Sequence, residues 1–531
     1  MRARVRHAVA LAAASVFVAC GGERSPAPAP ANDSGGANAH ANGDANGGAD
    51  AANDERDRAR GVILLVVDTL RADRLSAYGY PRATPNLDAF ARDGTLYLDN
   101  RPQGSWTRPS MQSMMSGLYV SEEYDLPAPE VPLLAEVLAE AGVETAAFVA
   151  NPVLGRHAGF DRGFDHYELY PKGDARAGHV FRQFRAWLER REDAEREWFA
   201  WVHLMDPHHP YQPLAQDDAY KDVKIRPGQQ VLRPRWKAGW DDMIALAPDH
   251  GGPETFAKGV GSFVRESNAY DGEVLTVGRI VADLVALLEA RGELDDTLVV
   301  LASDHGEMLR EYRDYPRTIQ RVLSRQGTLP QGLFHMFAVG HTGWLYEPIW
   351  RTPLILRGPG FRAGERVSGL VGNIDIHPTI LRALDVEPAI PLDGAPLQGS
   401  IVPDRDALFG YGRGTSAVID ADGWRLVSHS VARFGEGRPT RELLRAEPVL
   451  DEPTNLADAN PGEVERLQAL VDAWRADARF TGTVETSEAS RAVLEQLGYA
   501  VPGDDDDEDD APAGEGAGEE AGDQSAGGGG R

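Results

Sequence analysis

Short apolar runs alternating with helical stretches predict an α/β protein, built on a mainly parallel sheet covered on both faces, with a small C-terminal α+β subdomain. Three observations carry that expectation. Residues 62–67, 145–149, 198–203, 297–302 and 354–356 are apolar runs of strand length. Between them, residues 133–141, 179–190 and 274–290 carry apolar side chains at helical spacing. After about residue 405 the alternation weakens, residues 416–419 and 424–428 reading as a hairpin and 461–476 as a terminal helix.

At 531 residues, 42% of them apolar, the chain has enough material for a large buried core. The formal net charge is −28, and the segment 502–531 contributes −10 of it through eleven acids and one arginine. Such a balance excludes nucleic-acid binding through general electrostatics. It also repels an anionic substrate at long range, so capture of such a group has to come from local cations.

The first element is a basic start, Met1-Arg2-Ala3-Arg4-Val5-Arg6, followed by apolar residues 8–19, which is the shape of a secretory signal and too short for a membrane span. It closes on Phe17-Val18-Ala19-Cys20, and Cys20 is the only cysteine. This resembles a bacterial lipobox, which implies residues 1–20 as a lipoprotein signal, acylation of Cys20 and an exported protein tethered to the cell envelope. The outer membrane is preferred, the face is open, and the alternative is a plain signal with an incidental cysteine. Residues 21–60, rich in Ala, Gly, Pro, Asn and Asp, read as a flexible linker. Residues 61–405 are expected to be the catalytic domain, 406–501 the C-terminal subdomain and 502–531 an acidic disordered tail. No later segment has the apolar length of a membrane helix, so contact with membrane is expected only through the lipid anchor.

In open α/β sheets, functional side chains collect at the carboxyl ends of strands. Asp68 stands there after the run Gly61-Val62-Ile63-Leu64-Leu65-Val66-Val67, and Asp304 and His305 stand there after Leu298-Val299-Val300-Leu301-Ala302. One such carboxylate reads equally as a helix N-cap. Two strand ends supplying two carboxylates and an imidazole read better as a site for a divalent cation.

The motifs then accumulate: Asp68-Thr69-Leu70-Arg71-Ala72-Asp73, Thr84-Pro85-Asn86-Leu87, Thr107-Arg108-Pro109-Ser110, Gly159-Phe160-Asp161-Arg162-Gly163-Phe164, Asp206-Pro207-His208-His209-Pro210-Tyr211, Ser303-Asp304-His305-Gly306-Glu307, Gly340-His341 and Asp375-Ile376-His377-Pro378-Thr379. Over about residues 61–480 the chain resembles the sulfatase-like branch of the alkaline phosphatase superfamily. The resemblance implies an alkaline phosphatase-like α/β/α sandwich. It further implies that Asp68, Asp304 and His305 hold one divalent metal ion, that Thr107 bridges metal and substrate, and that His208 and His341 contact the transferred group or the leaving oxygen. Thr69 matches a position where many relatives carry a second metal-binding aspartate. His335 and His377 are read as structural, the alternative being a second metal. The donor set of oxygens and one imidazole suits Mn²⁺ or Zn²⁺ better than Ca²⁺, which the family leaves open.

The chain also departs from the pattern. Sulfatases of this type have Cys or Ser where Thr107 stands, oxidise it to formylglycine, and carry Arg where this chain has Met111. They also carry basic residues where this chain has Ser121-Glu122-Glu123. A formylglycine hydrate sheds its sulfate by carbon–oxygen cleavage, whereas an esterified threonine is released only by water attacking phosphorus or sulfur. Thr107 therefore favours phosphoryl chemistry. The expected activity is metal-dependent hydrolysis of a phosphate, phosphonate or sulfate ester, small or glycan-linked, through a Thr107 nucleophile and a covalent intermediate. The alternatives are a transferase placing phosphoethanolamine or phosphoglycerol on envelope glycans, or a non-catalytic relative binding anionic surface polymers.

Overall fold

The computed structural model describes residues 58–119, 129–170, 176–191, 193, 195–220, 252–309, 339–341, 345–412, 414–429, 440–445 and 455–477. The lipobox with Cys20, nearly all of the linker, Ser121-Glu122-Glu123, His335 and the acidic tail lie outside them.

A run of seven residues with no polar side chain, Gly61–Val67, forms β1, buried along its whole length. It can afford that composition because strands cover it on both edges and helices on both faces. The body continues through α1 (Pro85–Arg92), β2 (Thr95–Arg101), α2 (Thr107–Ser116), α3 (Leu134–Glu140), β3 (Glu144–Val149), β4 (His166–Leu169), α4 (Ala177–Arg190) and β5 (Trp198–Leu204). Then come α5 (Gly252–Arg291), β6 (Thr297–Ala302), the short β7 (Met308–Leu309) and β8 (Val339–Gly340), α6 (Glu347–Trp350), β9 (Thr352–Arg357), β10 (Glu365–Gly372) and α7 (Ile376–Ala383). The main sheet has eight strands in the order β10-β2-β9-β6-β1-β5-β3-β4. All neighbours run parallel except β9, which is antiparallel to both β2 and β6. The expected mainly parallel sheet is thus present.

Strand parity decides what each face meets, because successive side chains point to opposite sides. Val62, Leu64 and Val66 of β1, Phe199 and Trp201 of β5, and Leu298, Val300 and Ala302 of β6 pack with Met111, Met114 and Met115 of α2, with α3 and with α7. Ile63, Leu65, Val67, Ala200, Val202, Leu204, Val299 and Leu301 pack on the other side against α1, α4 and α5.

The C-terminal region adds β11 (Ala407–Gly412), β12 (Thr415–Asp420), β13 (Trp424–His429), β14 (Arg441–Arg445) and α8 (Pro461–Asp477). These strands form an antiparallel meander. One face packs Val418, Leu426 and Leu443 against Leu467, Val471 and Trp474 of α8. The other face packs Leu408, Ile419 and Val427 against Trp350 and Ile374 of the main body. A buried ionic cluster crosses the same seam: Glu347 of α6 pairs with Arg101 of β2 at 2.8 Å and with Arg425 of β13. The segment leading into α2 is stitched to this meander as well. Ser105 N–H donates to the Tyr411 carbonyl and Tyr411 N–H donates to the Gln103 carbonyl, each at 2.9 Å. Among the described residues no helix is long and apolar enough to cross a membrane.

Candidate functional site

Three neighbouring strands of the main sheet, β5, β1 and β6, end at one place. Val66 lies in register with His203 on one side and with Ala302 on the other. Parity then directs His203, and by continuation past the strand ends Asp68 and Asp304, toward the face covered by α2. All three side chains are fully buried. Thr107 opens α2 on that face, its backbone at the helix N-terminus, where the aligned peptide dipoles favour negative charge. Ser110, one turn on, donates its hydroxyl to the Asp304 carbonyl and clips the helix to the end of β6.

The structure brings together the four residues expected to hold metal and nucleophile. His305 Nε2 lies 3.6 Å from Asp68 Oδ1 and 3.4 Å from Asp304 Oδ2. Thr107 Oγ1 lies 3.3 Å from the same nitrogen. His305 Nδ1–H donates to the Gly306 carbonyl at 2.9 Å, which fixes the tautomer and leaves Nε2 bare toward the carboxylates. Gly306 is required by close approach: a Cβ there would sit 1.9 Å from the Pro348 carbonyl oxygen.

The electrostatics are those of a site short of positive charge. Burial and the neighbouring Asp304 push the Asp68 carboxyl up, while Asp304, equally buried, is held below the usual carboxylate range by His305 and His203. Asp68 Oδ1, Asp304 Oδ2 and both ring nitrogens of His203 are buried without a hydrogen-bond partner. Orphaned buried polar atoms of this kind are rare and costly. Asp68, His203 and Asp304 each offer a ligand atom, and these atoms lie within 4.8 Å of one another. The residues therefore fit a divalent cation.

Thr69 stands in the left-handed region at φ 58°, unusual for a β-branched residue. That twist aims its N–H at Asp304 Oδ1, 3.3 Å away, while its own hydroxyl is buried without a partner. His341 packs against His305 with ring centroids 4.2 Å apart and the planes tilted by 36°, and His208 packs edge-on to His341 at 5.4 Å. The three imidazoles form a file from the buried cluster to the half-buried His208. His341 Nδ1–H donates to Glu307 Oε1 at 3.1 Å, and burial lowers the ring's pKa to about 3. His208 Nδ1–H donates to the His209 carbonyl at 2.7 Å. His377 is elsewhere: buried at the far end of α2, it donates Nδ1–H to the Met115 carbonyl at 2.9 Å. Met111 is buried in the core under the sheet.

Three residues at the site have no role assigned from the sequence. Asn151, two residues past β3, donates to Asp68 Oδ2 at 2.7 Å and to Thr107 Oγ1 at 3.2 Å. The strand-end rule that selected Asp68 applies to it equally. His203 carries the signal of strand parity beside Val66. Glu307 closes the motif Ser303-Asp304-His305-Gly306-Glu307, and its part shows only through its bond to His341.

The sulfatase family model matches residues 60–386, more than half of the chain. This chain belongs to the sulfatase family. The choline-sulfatase of Rhizobium meliloti is 25% identical over 325 residues, covering 58% of this sulfatase-family chain and 56% of that protein. The chain thus spans little more than half the length of that curated relative. Among solved structures, a complex with D-glucosamine-2-N,6-O-disulfate matches with a TM-score of 0.58 and 16% identity, covering 80% of this chain and all of that one, 100%. The phosphonate monoester hydrolase of Agrobacterium radiobacter matches with a TM-score of 0.56 and 19% identity, covering 78% of this chain and 95% of that one. Both neighbours share the alkaline phosphatase-like fold of this sulfatase-family protein, as the sequence predicts.

Proposed function

We propose that this chain is a metal-dependent hydrolase that opens an anionic ester through Thr107, with a phosphate or phosphonate ester favoured over a sulfate. The observation that carries the reading is the position of Thr107 Oγ1, between Asn151 Nδ2 at 3.2 Å and His305 Nε2 at 3.3 Å, at a helix N-terminus. Asp68, Asp304, His305 and Thr107 would hold one divalent cation. When bound, it supplies the positive charge that makes a threonine alkoxide accessible and offsets charge developing on the transferred group.

The chain's own residues account for the rest. Asn151 donates to the Thr107 oxygen and turns its lone pairs toward the substrate. The α2 N-terminus faces the anionic group, a donor array already in place before reaction. Thr107 gives its hydroxyl proton to solvent as Oγ bonds to phosphorus and the ester oxygen leaves, and His208, at the half-buried end of the imidazole file, supplies the proton that the departing alkoxide takes up. Water then attacks phosphorus and passes a proton to His208, the Thr107–phosphorus bond breaks, and the Thr107 oxygen takes a proton from solvent, restoring the hydroxyl. Export, acylation of Cys20 and attachment to the outer membrane remain part of the proposal, as does a glycan-linked natural ester.

The test is the purified full chain, supplied in turn with Mn²⁺, Zn²⁺ and Ca²⁺ and offered aryl phosphodiester, phosphonate and sulfate substrates. Acid released from the phosphorus esters at rates well above the sulfate supports the reading. Turnover of the sulfate alone, or acid released only when an acceptor alcohol is added, overturns it, the second outcome marking a transferase.

A further inference from the structure

Resting on that reading of the metal site, we propose that His203 is a fifth, inner-sphere ligand and that the resulting two-imidazole set makes the site one for zinc, not calcium. The starting observation is His203 at the end of β5, fully buried, with neither ring nitrogen hydrogen-bonded. An imidazole kept from water without a partner forfeits its solvation, and most such groups are satisfied in folded proteins. Its Nε2 lies 3.9 Å from Asp304 Oδ2, too far for a hydrogen bond.

That spacing suits two ligands of one ion. A cation about 2.0–2.2 Å from each donor sets donor–donor separations of about 3–4 Å. The separations here are 3.4 Å for His305 to Asp304, 3.6 Å for His305 to Asp68, 3.9 Å for His203 to Asp304 and 3.3 Å for Thr107 to His305. His203, Asp68 and Asp304 also satisfy a common 4.8 Å limit. The unpaired atoms complete the argument, since Asp68 Oδ1, Asp304 Oδ2 and His203 Nε2 are three of the buried atoms at the cluster without a hydrogen-bond partner, beside His203 Nδ1 and the Thr69 hydroxyl. One ion among them satisfies all three.

The backbone explains why His203 can reach. Residue 203 shares its register with Val66, two before Asp68, on the strand next to β1, and Trp201 packs edge-on to its ring at 6.0 Å. The ring is held by packing, with no hydrogen bond to direct it elsewhere. Calcium takes six to eight oxygen donors, whereas imidazole suits zinc and its neighbours. A second imidazole moves the set further from calcium.

The experiment loads the full chain with zinc alone and counts imidazoles at the metal by X-ray absorption fine structure. A chelator competition measures affinity in parallel. The variant is His203→Phe, which keeps a ring in the buried position and removes both nitrogens; circular dichroism confirms its fold. The expected result is two imidazoles in the wild type and one in the variant. The zinc Kd should rise more than about 100-fold, beyond the 10–100-fold typical of losing an outer support. Calcium should fail to displace zinc at millimolar excess. One imidazole in the wild type, or an unchanged count in His203→Phe, overturns the proposal while leaving the metal site itself standing. Asp304→Asn separates the two levels: zinc binding as tight as wild type in that variant removes the underlying site.

Discussion

Thr107 is one hydroxyl among many buried ones, and its neighbours make it different. Replacing it with Ala should lower kcat/KM by more than about 10³-fold, as loss of a nucleophile does, with an unchanged melting temperature. Residual turnover near the wild-type value, read by continuous release of nitrophenol, removes it from the chemistry. Asn151→Ala tests orientation. The donor at 3.2 Å from Thr107 Oγ1 is lost, so kcat should fall about 10²-fold with KM little changed. A rise in KM at constant kcat would show that Asn151 binds substrate instead. At this scale the sequence was legible wherever a residue followed an apolar strand, which is how Asp68, Asp304 and His305 were found. Asn151 and His203 are illegible in sequence because an amide, and an imidazole next to last in an apolar strand, carry no chemistry until their neighbours across the sheet are known.

Elements are held together at one conspicuous place, the buried cluster of Arg101, Glu347 and Arg425 joining β2, α6 and β13. Burial alone would raise the Glu347 carboxyl, yet the guanidinium groups of Arg101 and Arg425 outweigh it and bring the pKa down to about 2 from an ordinary 4.5. A depressed acid stabilises the fold above its unfolded value and loses that contribution as pH falls through the folded one. Glu347→Gln should therefore destabilise the protein by about 3–5 kcal/mol at pH 7. The gap from wild type should narrow between about pH 4.5 and about 2, measured by urea melts across that range. A gap independent of pH would deny the ionic role. Gly306→Ala belongs here too. With a Cβ only 1.9 Å from the Pro348 carbonyl, the loop after β6 has to part from α6, and both soluble yield and metal uptake should collapse.

The elements that were hard to read have physical reasons. Both β2, Thr-Leu-Tyr-Leu-Asp-Asn-Arg, and β10, Glu-Arg-Val-Ser-Gly-Leu-Val-Gly, mix polar and flexible residues because they lie toward the edge of the sheet. Only residues 274–290 of the helix Gly252–Arg291 showed clear spacing, since Gly252, Pro253, Gly259 and Gly261 dilute its start. By contrast β1 and β6, central and covered on both sides, were read within a residue of their ends.

For the whole molecule, charge is the property that reaches a substrate first. A chain of net charge −28 repels an anionic ester before contact, and salt screens that repulsion. Raising ionic strength from about 20 to about 300 mM should therefore raise kcat/KM severalfold, through the association step, for doubly charged esters more than singly charged ones. A fall with salt would show that a local positive patch governs approach. Fold class and order of strands follow from apolar patterning, which is why the main sheet was foreseeable. How the C-terminal meander docks depends on contacts between residues far apart in sequence, which no local pattern encodes.

The hydrogen bonds between Tyr411 and the segment at Gln103 and Ser105 have a consequence in time. During synthesis the ribosome releases the loop carrying Thr107 roughly 300 residues before the strand that braces it, or about a quarter-minute to a minute at the usual pace of elongation. A gene cut short between residues 305 and 411 would yield the ligands and the hydroxyl without the Tyr411 brace.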